Sequence, residues 1–147
     1  MKTELKIKKG LSMEEADKLT TIGHLFETGE VFEKDYKMAL ECYTAASSYG
    51  NSMAVNNLGW LAQNGFGTKK DIASAVEMYE LGVKLNNPIS MVNLGNIYER
   101  GLLNGIPDYE KACKYYKMAA DLGNQDGLFN YANCLFYGWG HKKIIKL

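Results

Sequence analysis

Amide side chains recur at a fixed spacing along this chain and are the first candidates for a binding surface. Asn57, Asn93 and Asn130 are separated by 36 and 37 residues. Because an amide both donates and accepts hydrogen bonds, a row of amides can pair with the backbone of an extended peptide. The same amides could instead bond neighbouring helices of the protein and stabilise them. The sequence leaves these two interpretations open.

Other side chains that could contact a partner are expected on the same helix faces. They are His24, Trp60, Asn96 and Asn133 at one position, Glu27, Gln63 and Glu99 one turn further on, and Asn64 and Arg100 beside them. Trp60 stands out because a large aromatic side chain among polar groups is typical of a binding anchor. A packing role between repeats would account for Trp60 equally well. We predict that a partner inserts around Trp60 and is held by Asn93, Asn96 and Arg100.

Catalytic, metal-binding and phosphate-binding patterns are weak. His24 and Glu27 are three residues apart, which places them on one helix face and is typical of a surface pair. The two histidines, His24 and His141, stand at opposite ends, and no cysteine pair has the spacing of zinc ligands. The Gly-x-Gly at 65–67 resembles a phosphate loop, but the negative Asp71 would repel an anion at the following helix end. We therefore expect no catalytic residues, no metal and no cofactor.

Five series of residues that share one period indicate the elements that must position these side chains. The series are Gly23, Gly59, Gly95 and then Ala132; Gly29, Gly65, Gly101 and Gly138; Asp35, Asp71 and Asp108; Ala39, Ala75 and Ala112; and Tyr43, Tyr79 and Tyr116. A period in the mid-thirties is typical of stacked helical hairpins, each too small to bury its own apolar face. The tyrosines are predicted to be core residues. The glycines inside helices indicate close approach of two helices, since each glycine costs about 1 kcal/mol relative to alanine.

Capping residues divide the chain into seven predicted helices. Ser12 and Glu15 form a capping box, and an aspartate precedes the second helix of each repeat. The helices are predicted at about 13–28, 35–49, 52–64, 71–86, 88–100, 108–122 and 125–137. We expect the fourth repeat to contribute only its first helix, because no Asp-x-x-x-Ala follows Gly140. The apolar residues of the fourth repeat either pack backward on the third repeat or form a contact site. They are Leu128, Tyr131, Leu135 and Phe136.

These motifs resemble the Sel-1-like repeat (SLR) family, a relative of tetratricopeptide repeats, over about residues 13–140. The family pattern is roughly A-x-x-x-L-G-x-x-Y-x-x-G-x-G and then D-x-x-x-A-x-x-x-Y-x-x-A-A-x-x-G. The first two repeats match this pattern in part. The third repeat matches it at Leu94, Gly95, Tyr98, Gly101, Asp108, Ala112, Tyr116, Ala119, Ala120 and Gly123. Val31 and Leu103 replace the second loop glycine, and Asn86 replaces a glycine that closes a hairpin. The resemblance implies a right-handed superhelix whose concave face binds proteins or peptides as a scaffold or adaptor.

Composition limits the classes of partner and compartment. The 17 basic and 17 acidic residues balance, so we expect no nucleic-acid or membrane binding. The N-terminal residues 1–9 have no apolar run behind their charges, which predicts a cytoplasmic protein without a signal peptide. Cys42, Cys113 and Cys134 do not occupy equivalent repeat positions and are predicted to be three reduced, mostly buried thiols.

The sequence thus predicts an all-α, right-handed α/α superhelical solenoid of stacked antiparallel hairpins. We expect an N-terminal extension at 1–12 and one solenoid domain at 13–147, with repeats at about 16–51, 52–87 and 88–124 and a partial repeat at 125–147. The predicted function is non-catalytic binding of a protein or peptide in the concave groove. The alternatives are a hydrolase, for example of a small amide, and a module that self-associates through its apolar C-terminal end.

Overall fold

The computed structural model describes residues 10–139 of the 147-residue chain. Within that range the chain forms seven α-helices and no strand. They are α1 (Met13–Thr28), α2 (Tyr36–Ser47), α3 (Ser52–Asn64), α4 (Ile72–Lys84), α5 (Pro88–Glu99), α6 (Tyr109–Asp121) and α7 (Gln125–Tyr137). The predicted all-α class is confirmed, and each helix end lies within two residues of its predicted position.

Side-chain caps set where the helices begin. The Ser12 hydroxyl accepts a hydrogen bond from the Glu15 amide at 3.1 Å, as the capping box predicts. The carboxylates of Asp35, Asp71 and Asp108 each accept from an amide three residues ahead, at 3.0–3.1 Å. Hydrogen bonds from Ser74 lower the pKa of Asp71, because they favour its charged form. The aspartate series is therefore a series of helix caps.

The chain divides into two compact units, one ending at Met78 and the other beginning at Tyr79. In unit 1, α1 packs against α2 and α2 against α3. In unit 2, α5 packs against α6, and α6 packs against α7. The largest fully buried side chains are Tyr43, Leu61 and Val55 in unit 1 and Tyr79, Tyr116, Met91, Leu94 and Ile97 in unit 2. The prediction that the periodic tyrosines are core residues is confirmed, while a single domain over 13–147 stays a prediction.

Glycines inside the first helices allow the tyrosine rings of the second helices to approach closely. A Cβ atom on Gly23 would lie 2.7 Å from Cε1 of Tyr43, which is closer than real Cβ atoms approach. This confirms the expectation of close approach within a hairpin. Between α4 and α5 the chain turns at Asn86, which adopts a positive φ of 59° in place of the usual glycine. Asparagine tolerates this left-handed conformation better than other residues with side chains.

The prediction of three reduced cysteines is wrong for two of them. Cys113 of α6 and Cys134 of α7 form a disulfide, with their Cα atoms 5.9 Å apart. Cys42 is buried and free, as predicted. The prediction rested on the absence of a regular pairing among cysteines at non-equivalent repeat positions, and a single disulfide needs no such regularity. This disulfide instead joins the second helix of one repeat to the first helix of the next.

The fourth repeat packs backward on the third repeat through one face of α7. Gly127 and Cys134 are the buried residues of this helix, and a Cβ atom on Gly127 would lie 2.6 Å from Cβ of Ala119 in α6. Leu128 remains exposed on another face. Between residues 10 and 139, none of the helices combines the length and apolar character needed to cross a membrane. The predictions that concern residues 1–9 and His141 lie outside the described residues.

Candidate peptide-binding surfaces

Half of the predicted binding residues lie on the first helices of unit 1. Here α1 carries His24 and Glu27, and α3 carries Asn57, Trp60, Gln63 and Asn64. The side chains of His24 and Asn64 are exposed, and the other four are partly buried. The Asn64 amide donates to the Trp60 carbonyl at 2.9 Å, which orients it along the helix.

Trp60 belongs to an aromatic cluster that the repeat pattern did not predict. Its ring meets Phe66 edge to face, with centroids 5.3 Å apart, and Phe66 stacks on Tyr36 at 4.7 Å. Gly67 makes room for this arrangement, because a Cβ atom there would lie 2.7 Å from the carbonyl oxygen of Tyr36. Trp60 packs against the core of unit 1 and yet remains partly exposed. The phenylalanine between two loop glycines was the available signal for this cluster.

Tyr43 reaches the predicted binding face of unit 1 from the core. Its hydroxyl donates to Oε1 of Glu27 at 3.1 Å, while Nδ1 of His24 lies 3.4 Å from Oε2 of the same carboxylate. The Tyr43 side chain also hydrogen-bonds Asn57. Burial raises the pKa of Tyr43 far above its ordinary value, and the charge of Glu27 raises it further. The tyrosine therefore stays neutral; it donates to Glu27 and its oxygen accepts from Asn57, which fixes both side chains in place.

Tyr116 of unit 2 also reaches predicted binding residues from the core, and only its contact with Glu99 is equivalent to that of Tyr43 with Glu27. Its hydroxyl donates to Oδ1 of Asn96 at 2.8 Å and lies 3.3 Å from Oε2 of Glu99. Burial is the main cause that raises the pKa of Tyr116, followed by the charge of Glu99. The structural role that the sequence left open for the series of Asn57, Asn93 and Asn130 is thus seen at Asn57, and Asn96 of the neighbouring series also has its partner within the chain. Both amides keep part of their surface exposed.

The remaining predicted residues belong to unit 2. Asn93 is partly buried on α5, and Arg100 is exposed at the end of that helix. Asn130 and Asn133 are partly buried on α7. Six of the twelve candidates thus lie in each unit, and a binding site formed by them stays a prediction.

The described residues offer little for metal or nucleophilic chemistry. Between residues 10 and 139 no group of three or more His, Cys, Asp or Glu side chains could hold a metal ion. Burial raises the pKa of the Cys42 thiol to about 11, with a smaller effect from the charge of Glu41. A thiol in this environment remains protonated at neutral pH and is a poor nucleophile.

Comparison with protein families gives one description for most of the chain. The Sel1 repeat model matches residues 22–51, 52–87, 88–124 and 125–143. These ranges follow the repeats that the sequence period predicts. Comparison with curated proteins gave no match.

Solved structures of similar fold are also repeat proteins. A Sel1 repeat protein from Oxalobacter formigenes is 34% identical over 84% of this chain and 50% of its own, with a TM-score of 0.74. A protective antigen of uropathogenic Escherichia coli with an SLR fold is 26% identical over 88% of this chain and 28% of its own, with a TM-score of 0.78. Cysteine-rich protein B of Helicobacter pylori is 19% identical over 84% of this chain and 99% of its own, with a TM-score of 0.60, and supports the fold alone. This chain thus spans half or less of the first two relatives.

Proposed function

Because this chain belongs to the Sel1 repeat family, we propose that it is a non-catalytic scaffold that binds a protein or peptide through the first helices of its repeats. Sel1-repeat proteins generally act as protein-binding scaffolds, which supports the proposal. The observation that carries it is the partly exposed aromatic cluster of Trp60, Phe66 and Tyr36 in unit 1. Rings held by stacking lose little conformational freedom when a partner covers them.

The partner contributes an apolar side chain and an extended backbone. The apolar side chain packs against Trp60 and Phe66. Polar groups on the same unit, such as the exposed His24 and Asn64, then pair with backbone groups of the peptide. Glu27 and Asn57 are held in place by Tyr43. A fixed carboxylate and amide bind more tightly than mobile ones, because less side-chain entropy is lost.

Unit 2 presents a second, more polar surface. Asn93, Asn96, Glu99 and Arg100 lie on or at the end of α5, and Asn130 and Asn133 lie on α7. Contacts from Asn93, Asn96 and Arg100 add affinity in this proposal, but the aromatic cluster supplies the anchor.

The location in the cytoplasm stays a prediction. The Cys113–Cys134 disulfide favours an oxidising compartment instead.

The test is a selection of peptides from a random library on the full chain. Binding is followed in the Trp139→Phe variant, which leaves Trp60 as the only tryptophan, so a change in its fluorescence reports contact at the cluster. We expect Trp60→Ala and Phe66→Ala to lower the affinity for the selected peptides at least tenfold, as measured by the fluorescence anisotropy of labelled peptides. Asn93→Ala and Arg100→Ala should each lower this affinity about threefold, since a single polar contact contributes about 0.5–1.5 kcal/mol.

Tyr109→Ala is the matched control, because it removes an exposed aromatic residue from unit 2. Its affinity for the peptides should equal that of the unchanged chain. Selected peptides that bind Trp60→Ala and Phe66→Ala undiminished would refute the aromatic anchor.

A further inference from the structure

Glu27 is a partly buried carboxylate that pairs with no lysine or arginine within residues 10–139. Its side chain is 15% exposed and lies in the last turn of α1. The Tyr43 hydroxyl donates to Oε1 but supplies no positive charge. Nδ1 of His24 lies 3.4 Å from Oε2, and this contact contributes little because the histidine is exposed. The carboxylate therefore keeps acceptor capacity for a cation.

One oxygen atom fixes the position of the Glu27 carboxylate relative to α3. The Tyr43 hydroxyl contacts both Glu27 of α1 and Asn57 of α3, so these two side chains meet at the same oxygen. Trp60 follows Asn57 by three residues, which places its ring one turn further along the same face of α3. We name the surface formed by Glu27, Asn57 and Trp60 the Glu27 subsite. All three side chains are partly exposed.

The two helices that carry the Glu27 subsite have an excess of negative charge. Helix α1 contains four acidic residues and one lysine, and α3 contains no charged residue. The acidic residues are Glu14, Glu15, Asp17 and Glu27. The last turn of α1 has no basic residue and lies at the negative end of the helix dipole, so the backbone adds to the attraction of Glu27 for a cation. The charge of this surface therefore favours a basic ligand.

The aromatic cluster beside the Glu27 subsite already holds one cation of the chain itself. Nζ of Lys34 lies 5.6 Å from the centroid of the Tyr36 ring. Phe66 stands between Tyr36 and Trp60, so Lys34 occupies the far end of the cluster. A tryptophan ring attracts a cation more strongly than a tyrosine ring does, and its face can also cover the alkyl stem of a long basic side chain. Trp60 therefore offers a second position for a cation, one turn from Asn57.

Glu99, the equivalent acidic residue of unit 2, has different surroundings. Its carboxylate also lies near a tyrosine hydroxyl, that of Tyr116, at 3.3 Å. Arg100 follows Glu99 directly and supplies a positive charge at the end of α5. The residue of the next repeat that corresponds to Trp60 is Asn133 of α7, which has no ring. The combination of an acidic residue with an aromatic ring and no basic neighbour is thus a property of unit 1.

We propose that the peptide partner places a lysine or arginine side chain in the Glu27 subsite. This inference rests on the peptide-binding function proposed above and adds the charge of the partner to it. The ammonium or guanidinium group donates to the Glu27 carboxylate, while the alkyl stem of the same side chain lies along Trp60. Acidic peptides are rejected, because they would bring a like charge to a carboxylate that Tyr43 holds in place.

The probes for the test are peptides selected from a random library on the full chain whose binding Trp60→Ala weakens. Each is synthesised with a fluorescein label, together with a matched peptide in which glutamine replaces every lysine and arginine. We expect Glu27→Gln in the full chain to lower the affinity for the selected peptide at least about tenfold, because a charge-assisted hydrogen bond is lost. The same variant should bind the glutamine peptide as tightly as the unchanged chain does. Fluorescence anisotropy measures the four affinities.

Glu14→Gln is the matched control, because it removes the same charge from an exposed residue in the first turn of α1. It should leave the affinity for the selected peptides unchanged, which separates a contact at Glu27 from a general effect of net charge. The glutamine in Glu27→Gln still offers a carbonyl oxygen to the Tyr43 hydroxyl. Circular dichroism should therefore show that both variants remain folded.

Two outcomes would overturn this proposal and leave the peptide-binding function intact. The first is that peptides which depend on Trp60 bind Glu27→Gln as tightly as the unchanged chain. The second is an equal loss of affinity for the selected peptide and the glutamine peptide, which would show that Glu27 acts through the fold and not through its charge. A selection that returns no peptide dependent on Trp60 would overturn both proposals together.

Discussion

The ring of Tyr116 lies so close to the backbone of Gly95 that a Cβ atom on this glycine would be 2.5 Å from Cε1 of the ring. Gly23 and Tyr43 have the same relationship in unit 1. A glycine inside a helix costs about 1 kcal/mol relative to alanine. The chain accepts this cost because the absent side chain lets a whole tyrosine ring become buried, which stabilises by more than that amount.

We predict that Gly95→Ala lowers the free energy of unfolding by about 1–3 kcal/mol, the usual cost of overpacking a core. Helix propensity alone predicts the opposite sign. Urea denaturation followed by circular dichroism measures the change.

The control places Gly95→Ala in a Tyr116→Ala background, at a temperature where that variant is folded. Without the ring the clash is gone, so the added methyl group should be neutral or stabilise by up to about 1 kcal/mol. The same loss in both backgrounds would show that the ring is not the reason for glycine at this position.

The hydroxyls of Tyr43 and Tyr116 lead to a second prediction. Each is buried and donates to side chains on the predicted binding face, Glu27 from Tyr43 and Asn96 from Tyr116. We expect Tyr43→Phe and Tyr116→Phe each to lower the free energy of unfolding by about 1–2 kcal/mol, because a partly buried acceptor loses its donor. Thermal or urea denaturation checks this.

Tyr109→Phe is the matched control for these variants. Tyr109 is exposed, so its hydroxyl should contribute less than about 0.5 kcal/mol. If Tyr43→Phe and Tyr116→Phe are as stable as Tyr109→Phe, the hydroxyls do not hold the binding face in place.

The repeat period was sufficient to predict the helices, their caps and the burial of the tyrosines. Each of these depends on residues close together in the chain or on one spacing that recurs. Asp35, for instance, caps α2 through an amide three residues ahead. The pairing of Tyr116 with Glu99 recurs as Tyr43 with Glu27, so the period contained that signal as well. Only the distance between helices shows that the hydroxyl reaches the carboxylate.

Contacts that do not recur were not predicted. The disulfide joins Cys113 to Cys134, and these residues occupy different positions in their repeats. Phe66 meets Trp60 in unit 1 because the variable position between the two loop glycines holds a phenylalanine in this repeat. The sequence indicated Trp60 as an anchor but could not indicate the ring that supports it. Such contacts depend on side-chain directions in one repeat, which a shared pattern does not describe.

A third prediction concerns stability at alkaline pH. Burial raises the pKa of Cys42 from an ordinary value of 9.0 to about 11. The unfolded chain therefore loses this proton first, and the stability present below pH 9 falls as the pH rises towards 11. The buried tyrosines Tyr43, Tyr79 and Tyr116 act in the same direction above their ordinary value of 10.0.

Between these two ordinary values the thiol and the three buried tyrosines contribute by similar amounts. From pH 9 to pH 10 we expect the free energy of unfolding to fall by about 2 kcal/mol, since each proton contributes up to about 1.4 kcal/mol per pH unit. A Cys42→Ala variant should remove about half of that fall and leave the part that the tyrosines cause. Urea denaturation in a Cys113→Ala/Cys134→Ala background avoids thiol exchange. An equal slope with and without Cys42 would rule out the thiol as its cause.

The disulfide between α6 and α7 gives the last prediction. It closes a loop between residues 21 positions apart, and the chain-entropy model for such a loop gives about 3 kcal/mol of stabilisation. Reduction of the unchanged chain should therefore lower the free energy of unfolding by about that amount. Thiol titration of the unfolded protein should find one free thiol before reduction, that of Cys42, and three afterwards.

Cys113→Ala/Cys134→Ala provides the control, because a reductant has no bond to break in that variant. Its stability should match that of the reduced chain within about 1 kcal/mol, the scale of the small packing difference between a buried thiol and a methyl group, and a reductant should not change it. Three free thiols in protein purified without a reductant would contradict the prediction.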